Sequence, residues 1–114
     1  MNTTISQIRG DTRRYKFERI NADGSIILTP PDKLYFTVKK TYISKEMLIQ
    51  KKLEDFVIDA DGTYHFTILP DDTNNLKYGT YVFDIEVITD GVKTTIAKGD
   101  FTIEPEVTFA DDED

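Results

Sequence analysis

Residues 76–87, with the sequence LKYGTYVFDIEV, are the part of the chain that most directly indicates the fold. After Gly79, every second side chain is apolar, namely those of Tyr81, Phe83, Ile85 and Val87. The side chains between them are mostly polar. Alternation with a period of two is typical of a β-strand that has one face in the core and the other in water. The stretch therefore predicts a half-buried antiparallel strand that starts at a glycine turn.

The start of this strand also carries a recognisable corner pattern. Leu76, Gly79 and Tyr81 are spaced as Leu-x-x-Gly-x-Tyr. In immunoglobulin-like sandwiches, a tyrosine near the start of one strand donates its hydroxyl to nearby backbone and fixes a corner of the fold. We therefore expect these three residues to form a structural corner, with a positive φ at Gly79.

The same alternation recurs along the chain and predicts several other strands. The clearest have inward side chains at Tyr15 and Phe17, at Leu34, Phe36 and Val38, and at Tyr64, Phe66 and Ile68. Asp-Gly pairs at residues 23–24, 61–62 and 90–91 supply the positive φ that hairpin turns need. Strands spaced in this way predict an all-β fold, an immunoglobulin-like antiparallel β-sandwich of seven to nine strands.

Weaker patterns complete the expected order of elements. We expect short strands at residues 4–8 and 26–28, and a single helical turn at residues 70–76. Residues 47–53 fit either a strand or a short helix, and the neighbouring strands favour the strand. Gly99 is expected to mark a β-bulge in the last strand.

Length and composition indicate one domain. The 114 residues divide into a sandwich at residues 1–108 and an acidic, disordered tail at residues 109–114. The net charge of −7 argues against nucleic acid as a partner, because phosphate binding needs clustered Lys and Arg. No apolar run suits a membrane helix and no secretory signal is visible, so we expect no membrane partner and synthesis in the cytoplasm. The chain has no cysteine, which excludes disulfides and thiolate chemistry.

Candidate chemical residues all have ordinary structural explanations. His65 is expected at an exposed strand position, because no nucleophile is indicated beside it. Residues 9–11 (Arg-Gly-Asp) are expected to form a turn rather than an integrin-binding loop. The acidic residues Asp59, Asp61, Asp71 and Asp72 lack the spacing of a twelve-residue calcium loop and are expected in turns. We therefore expect no catalytic, cofactor or metal site, and a protein that is not an enzyme.

The tyrosines leave one alternative open. Tyr15, Tyr35, Tyr42 and Tyr78 would form a platform for sugar if several of them shared an exposed face. Core and cross-strand packing explains most of them equally well.

The order of short motifs resembles that of a phage protein family. The motifs are Gly-Asp-Thr at residues 10–12, Phe-Thr-Val-Lys-Lys at 36–40, Ile-Gln-Lys at 49–51, Asp-Gly at 61–62, Phe-Thr-Ile at 66–68, Pro-Asp-Asp-Thr at 70–73, Tyr-Gly-Thr-Tyr-Val-Phe-Asp-Ile at 78–85 and Lys-Gly-Asp-Phe at 98–101. Together they resemble small proteins from tail and baseplate modules of phages and prophages of Gram-positive bacteria. Those proteins look like the immunoglobulin-like N-terminal domain of baseplate upper proteins.

The resemblance implies a structural role in the virion. It predicts an interaction module in the tail or baseplate that docks on other virion proteins, with copies of itself as a further partner left open. No catalytic residues carry over, because the shared motifs form the fold. The alternative is a carbohydrate- or cell-surface-binding module that assists host attachment.

Overall fold

The computed structural model describes residues 2–105, and these residues form an all-β sandwich. Eight strands lie in two sheets, which confirms the expected fold class and strand number. The predicted acidic tail at residues 109–114 lies outside the described residues. Within the described range, no helix is both long and apolar enough to cross a membrane.

The two sheets contain five and three strands. The larger has the order β1-β8-β7-β3-β4 and the smaller β2-β6-β5. The strands are β1 (Asn2–Ile8), β2 (Arg13–Glu18), β3 (Lys33–Lys39), β4 (Ile49–Lys52), β5 (Val57–Ile58), β6 (Thr63–Ile68), β7 (Gly79–Thr89) and β8 (Val92–Glu104), with a 3-10 helix at Leu53–Asp55 and a short helix α1 at Pro70–Thr73. Strands β2, β6 and β5 correspond to B, E and D of an immunoglobulin sandwich, and β3, β7 and β8 to C, F and G.

One strand pair departs from the expected antiparallel arrangement. β1 runs parallel to β8, from Asn2 beside Lys98 to Ile8 beside Glu104. Every other pair of named strands in the described part of the chain is antiparallel. The five-stranded sheet is therefore mixed, and β1 is its parallel edge strand.

Aromatic and aliphatic side chains from both sheets fill the core. Those predicted to face inward on β3 and β6 are all buried, with no more than 3% of their surface exposed. Phe36 of β3 meets Phe66 of β6 across the sandwich, with ring centroids 4.5 Å apart. Phe83 and Phe101 pack against the same Phe36 ring at 5.8 and 6.2 Å. These aromatic contacts join the two sheets into one core.

The strand predicted at residues 26–28 is absent. Ile26 makes only an isolated bridge with Ile20, and the Ile27 N–H donates to the Arg19 carbonyl at 2.7 Å. Pro30 and Pro31 follow immediately, and proline cannot donate to a strand ladder. The segment therefore pairs locally around the turn at residues 21–25 and does not join either sheet. Residues 47–53 do contain a strand, β4, which ends at the 3-10 helix.

Gly99 does not mark the bulge in β8. The register along β7 and β8 changes between Ile85, opposite Ala97, and Glu86, opposite Thr95, so Ile96 is the extra residue. Gly99 is instead where β1 comes closest, since a Cβ atom on Gly99 would overlap the Thr3 carbonyl. The lack of a side chain is what allows β1 to lie beside β8.

We expect Gly99→Ala to weaken the pairing of β1 with β8. The added methyl group meets backbone rather than a flexible side chain, so β1 must shift, at a cost of about 1–3 kcal/mol in the free energy of unfolding. Urea unfolding monitored by tyrosine fluorescence measures the loss. Asp100→Ala, at the exposed neighbouring position, is the control. Equal stability of the two variants would contradict the close approach.

Candidate functional site

The sandwich has a seam along one side, between β2 of the smaller sheet and β8 of the larger sheet. β1 occupies half of this seam. Its Ile5 packs against the core and its Gln7 is fully buried. The Tyr15 hydroxyl of β2 donates to Gln7 Oε1 at 2.6 Å, and Gln7 Nε2 donates to the Asp11 carbonyl at 3.0 Å. β1 is thus held to both sheets, and this half of the seam is closed.

The other half of the seam is open. In the described part of the chain, β1 pairs with β8 from Asn2 beside Lys98 to Ile8 beside Glu104. Within residues 2–105, no strand pairs with residues 92–97 of β8 on the side away from β7, and β2 pairs only with β6. Alternate N–H and C=O groups on these two edges therefore point away from any strand.

A groove of about 670 Å³ lies in the open half of the seam. Most of its lining is apolar and comes from both sheets and from the segment after β2; it includes Phe17, Ile20, Ile27, Val87 and Ile96. At its rim, Ile20 and Val92 are 58% and 65% exposed. A concave, mostly apolar surface of this kind is a candidate binding site. An apolar groove beside an unpaired sheet edge suits an extended peptide, whose backbone pairs with the edge while alternate side chains enter the groove.

One polar atom in the groove wall lacks a partner. The hydroxyl oxygen of Thr89, at the end of β7, is buried and makes no hydrogen bond among the described residues. A buried hydroxyl without a partner costs about 1–3 kcal/mol. A polar group brought in by an occupant of the groove would relieve that cost.

The three residues of the expected corner lie together at the opposite end of β7 from Thr89. The Tyr81 hydroxyl donates to the Lys77 carbonyl at 2.7 Å. Gly79 has a φ of +145°, and Leu76 packs against the core. The corner lines no part of the groove; it fixes the start of β7.

The Arg-Gly-Asp turn is held in place by backbone contacts. The Arg9 N–H donates to the Glu104 carbonyl at 2.9 Å, and the Gly10 N–H donates to Thr73 Oγ1 at 2.8 Å. The Arg9 guanidinium lies over the Tyr78 ring, 4.4 Å from its centroid. This turn therefore ties β1 to the end of β8 and to α1.

His65 lies on the outer face of β6, as expected, but it is not freely exposed. Its Nε2 atom lies 2.6 Å from Asp59 Oδ2, and only 16% of its side chain is exposed. The expectation of an exposed position is wrong because the hairpin turn brings Asp59 over the ring.

Two of the other loop acids, Asp61 and Asp72, accept hydrogen bonds from backbone groups. Asp61 Oδ1 accepts the Thr63 N–H at 3.0 Å, and hydrogen bonds from Thr63 lower the pKa of Asp61. Asp72 Oδ2 accepts the Leu69 N–H at 2.7 Å and pairs with Lys51 Nζ at 2.7 Å. In the described range, no three His, Asp or Glu side chains are grouped to hold a metal ion.

The four tyrosines considered as a sugar platform are divided among different sites. Tyr15 and Tyr35 are half-buried, and Tyr15 stacks on Phe66. Tyr42 donates its hydroxyl to the Gly99 carbonyl, whereas Tyr78 lies under Arg9, which is bonded to Glu104. Gly99 and Glu104 are five residues apart on β8, which corresponds to about 17 Å along the strand. The structure does not bring the four rings onto one surface.

Sequence reasoning missed the groove, although its residues carried a signal. Ile20, Ile27 and Val92 are apolar side chains at turns and strand ends, where polar residues are usual. Their clustering depends on how far β1 extends along β8, which a local pattern does not contain.

Comparisons with known proteins give little support for any identity. No family model matches the chain, and no curated protein matches its sequence. Among solved structures, the chain is similar to a family 123 glycoside hydrolase from Clostridium perfringens, studied for glycolipid glycan hydrolysis. The identity is 15% and the TM-score 0.38, and the match covers 91% of this chain and 23% of that chain.

This match corrects one expectation. The statement that the chain is not an enzyme is overturned, because the structure to which it is similar is itself an enzyme. A TM-score of 0.38 assigns neither a fold nor an activity to this chain.

We expect Tyr81→Phe to lower the free energy of unfolding by about 0.5–1.5 kcal/mol, the net value of one hydrogen bond. The ring remains and only the donor to the Lys77 carbonyl is lost. Lys77→Ala is the control, since it keeps the accepting carbonyl. Denaturant midpoints measure both variants. An unchanged midpoint for Tyr81→Phe would show that the corner bond contributes nothing.

Asp84, on the outer face of β7, makes stability depend on pH. Partial burial raises the pKa of Asp84, and the like charge of Glu86 raises it further, against the opposing effects of Lys39 and Lys93. A raised pKa in the folded state means that the ionised carboxylate disfavours folding above that pKa. The penalty disappears as the pH falls below the ordinary value of 3.8.

We therefore expect Asp84→Asn to be more stable than the natural chain at neutral pH. The difference in unfolding free energy should shrink as the pH falls toward 3.8. Asp100→Asn, on the neighbouring strand, controls for the loss of one negative charge. Urea unfolding over a pH series measures the difference, and a stabilisation independent of pH would contradict this explanation.

Proposed function

We propose that this chain is an interaction module of a phage tail or baseplate, which docks on other proteins of the virion. The observation that carries the docking role is the apolar groove in the open half of the seam. The virion setting rests on the resemblance of the ordered motifs in residues 10–101.

The groove supports docking through its composition. Ile20 and Val92 expose more than half of their surfaces at the rim, and Ile27 and Ile96 are partly exposed behind them. Burying such surface contributes roughly 25 cal/mol for each Å² removed from water. A partner that covers the groove therefore gains free energy from side chains that this chain leaves in water.

The rigid sandwich supports precise placement of that partner. The groove wall is formed by β7 and β8, whose inner side chains Ile85 and Val87 belong to the core. Core packing fixes their positions without a partner, so little ordering is needed in this chain on binding. A module of this kind serves as a fixed connector between larger components of a particle.

Quantitative mass spectrometry of purified phage particles from an induced culture of the source strain tests the virion role. We expect a fixed copy number per particle, in multiples of three or six as tail symmetry requires. An abundant non-structural protein of the same lysate measures carry-over. Absence of the chain from particles, with abundant chain in the lysate, would contradict the proposal.

A further inference from the structure

β1 shows what the seam accepts. It is an extended strand, parallel to β8, with Ile5 and Gln7 facing inward at alternate positions. Its backbone pairs with residues 98–104 of β8 while its inner side chains fill the space between the sheets.

The open half of the seam continues this arrangement along the same line. Residues 92–97 of β8 extend past the start of β1 and provide an edge about 20 Å long, at 3.4 Å per residue. The groove lies beside this edge, where the inward side chains of a longer β1 would lie. The interface that β1 forms with β8 thus has a continuation of strand length that no residue in the range 2–105 occupies.

We propose that the open half of the seam accepts one extended strand from a partner protein, added to residues 92–97 of β8 parallel to β8 and in line with β1. The strand has apolar side chains at alternate positions, which enter the groove. This strand addition would be the way in which the chain performs the docking role proposed above. That the strand comes from another virion protein rests on that proposed function.

Apolar side chains suit the inward positions because most of the surface that they meet is apolar. Phe17 and Ile27 line one side of the groove, and Val87 and Ile96 line the other. A charged inward side chain would lose hydration against this mostly apolar lining. The charged residues of the lining are Glu18, which is exposed, and Arg19, whose guanidinium donates to the Thr29 carbonyl at 2.8 Å. The outward positions would lie beside Lys93, which pairs with Glu86 at 3.3 Å on the exposed face of the sheet, so polar side chains suit them.

The described end of β8 lies away from the open edge. The chain leaves β8 at Glu104, seven residues from Ala97 and therefore about 24 Å from the open edge. β1 covers the edge between these two points. A second copy of the chain remains an alternative that the experiment below separates.

The test uses the full chain, labelled with ¹⁵N, and a synthetic peptide of sequence KTVSITVSK as the probe. Three alternating apolar residues match the length and pattern that the groove requires. We expect saturable chemical-shift changes confined to residues 17–20 and 92–97. No binding at millimolar peptide, or changes centred elsewhere, would overturn the proposal.

Two N-methylated peptides separate strand addition from simple hydrophobic contact. Each is methylated on one alternate set of backbone nitrogens and keeps every side chain. A strand that pairs with β8 along one edge tolerates methylation of the nitrogens whose N–H groups point away from β8. It loses binding when the nitrogens whose N–H groups point toward β8 are methylated. Equal binding of both methylated peptides would overturn the proposal.

A variant pair locates the site without disturbing the core. Val92→Lys places a charge on the free edge, a substitution that blocks edge pairing in natural sheets, and should weaken binding roughly tenfold or more. Ile43→Lys is the matched control, since Ile43 is 92% exposed in the connection between β3 and β4. Equal affinity of both variants would overturn the assignment.

The oligomeric state of the free chain tests the competing occupant. Shifts at residues 92–97 that change with protein concentration in the absence of peptide would show that a second copy fills the edge, and would overturn a partner strand. Failure of peptide binding would leave the particle measurement unaffected. Absence from particles would leave a positive peptide result standing.

Discussion

The closed and the open halves of the seam both depend on one constraint, the parallel pairing of β1 with residues 98–104 of β8. It closes the seam over Gln7, whose side chain is held by Tyr15 and by the backbone at Asp11. It also requires a residue without a side chain at Gly99. Because the described part of β1 starts beside Lys98, no strand within residues 2–105 pairs with residues 92–97 of β8 on that edge.

Two contacts at the end of β1 hold it in this position. The turn after β1 is bonded to Glu104 of β8 through Arg9 and to Thr73 of α1 through Gly10. α1 is in turn tied to β4 by the ion pair between Lys51 and Asp72. The register of β1, and therefore the length of the open seam, is set by contacts with several distant elements.

Local pattern was enough to predict the inner faces of the central strands. Leu34, Phe36 and Val38 alternate with polar residues, and burial of one face requires that alternation. The same reasoning failed at residues 26–28, where apolar residues pair only across their own turn. It also misread Gly99, because a close approach by another strand and a bulge both favour glycine.

The open groove could not be predicted from the sequence because it depends on where pairing stops. The partner of β8 on its outer edge lies about a hundred residues earlier in the chain, and no local signal fixes its direction or extent. The corner at Tyr81 is the opposite case. Its donor and acceptor are four residues apart, so spacing alone suggested the bond that Tyr81 makes to Lys77.

Hydrogen exchange along β8 in the free chain tests the half-open seam most directly. Amides that point away from β7 should be protected in residues 98–104, where β1 pairs with them, and should exchange rapidly in residues 92–97. Amides that point toward β7 serve as the internal reference, since β7 pairs with β8 from Val92 to Ile103 except at the bulge residue Ile96. Uniform protection of the outer amides from residue 92 to 104 would show that the seam is closed, and would contradict the account.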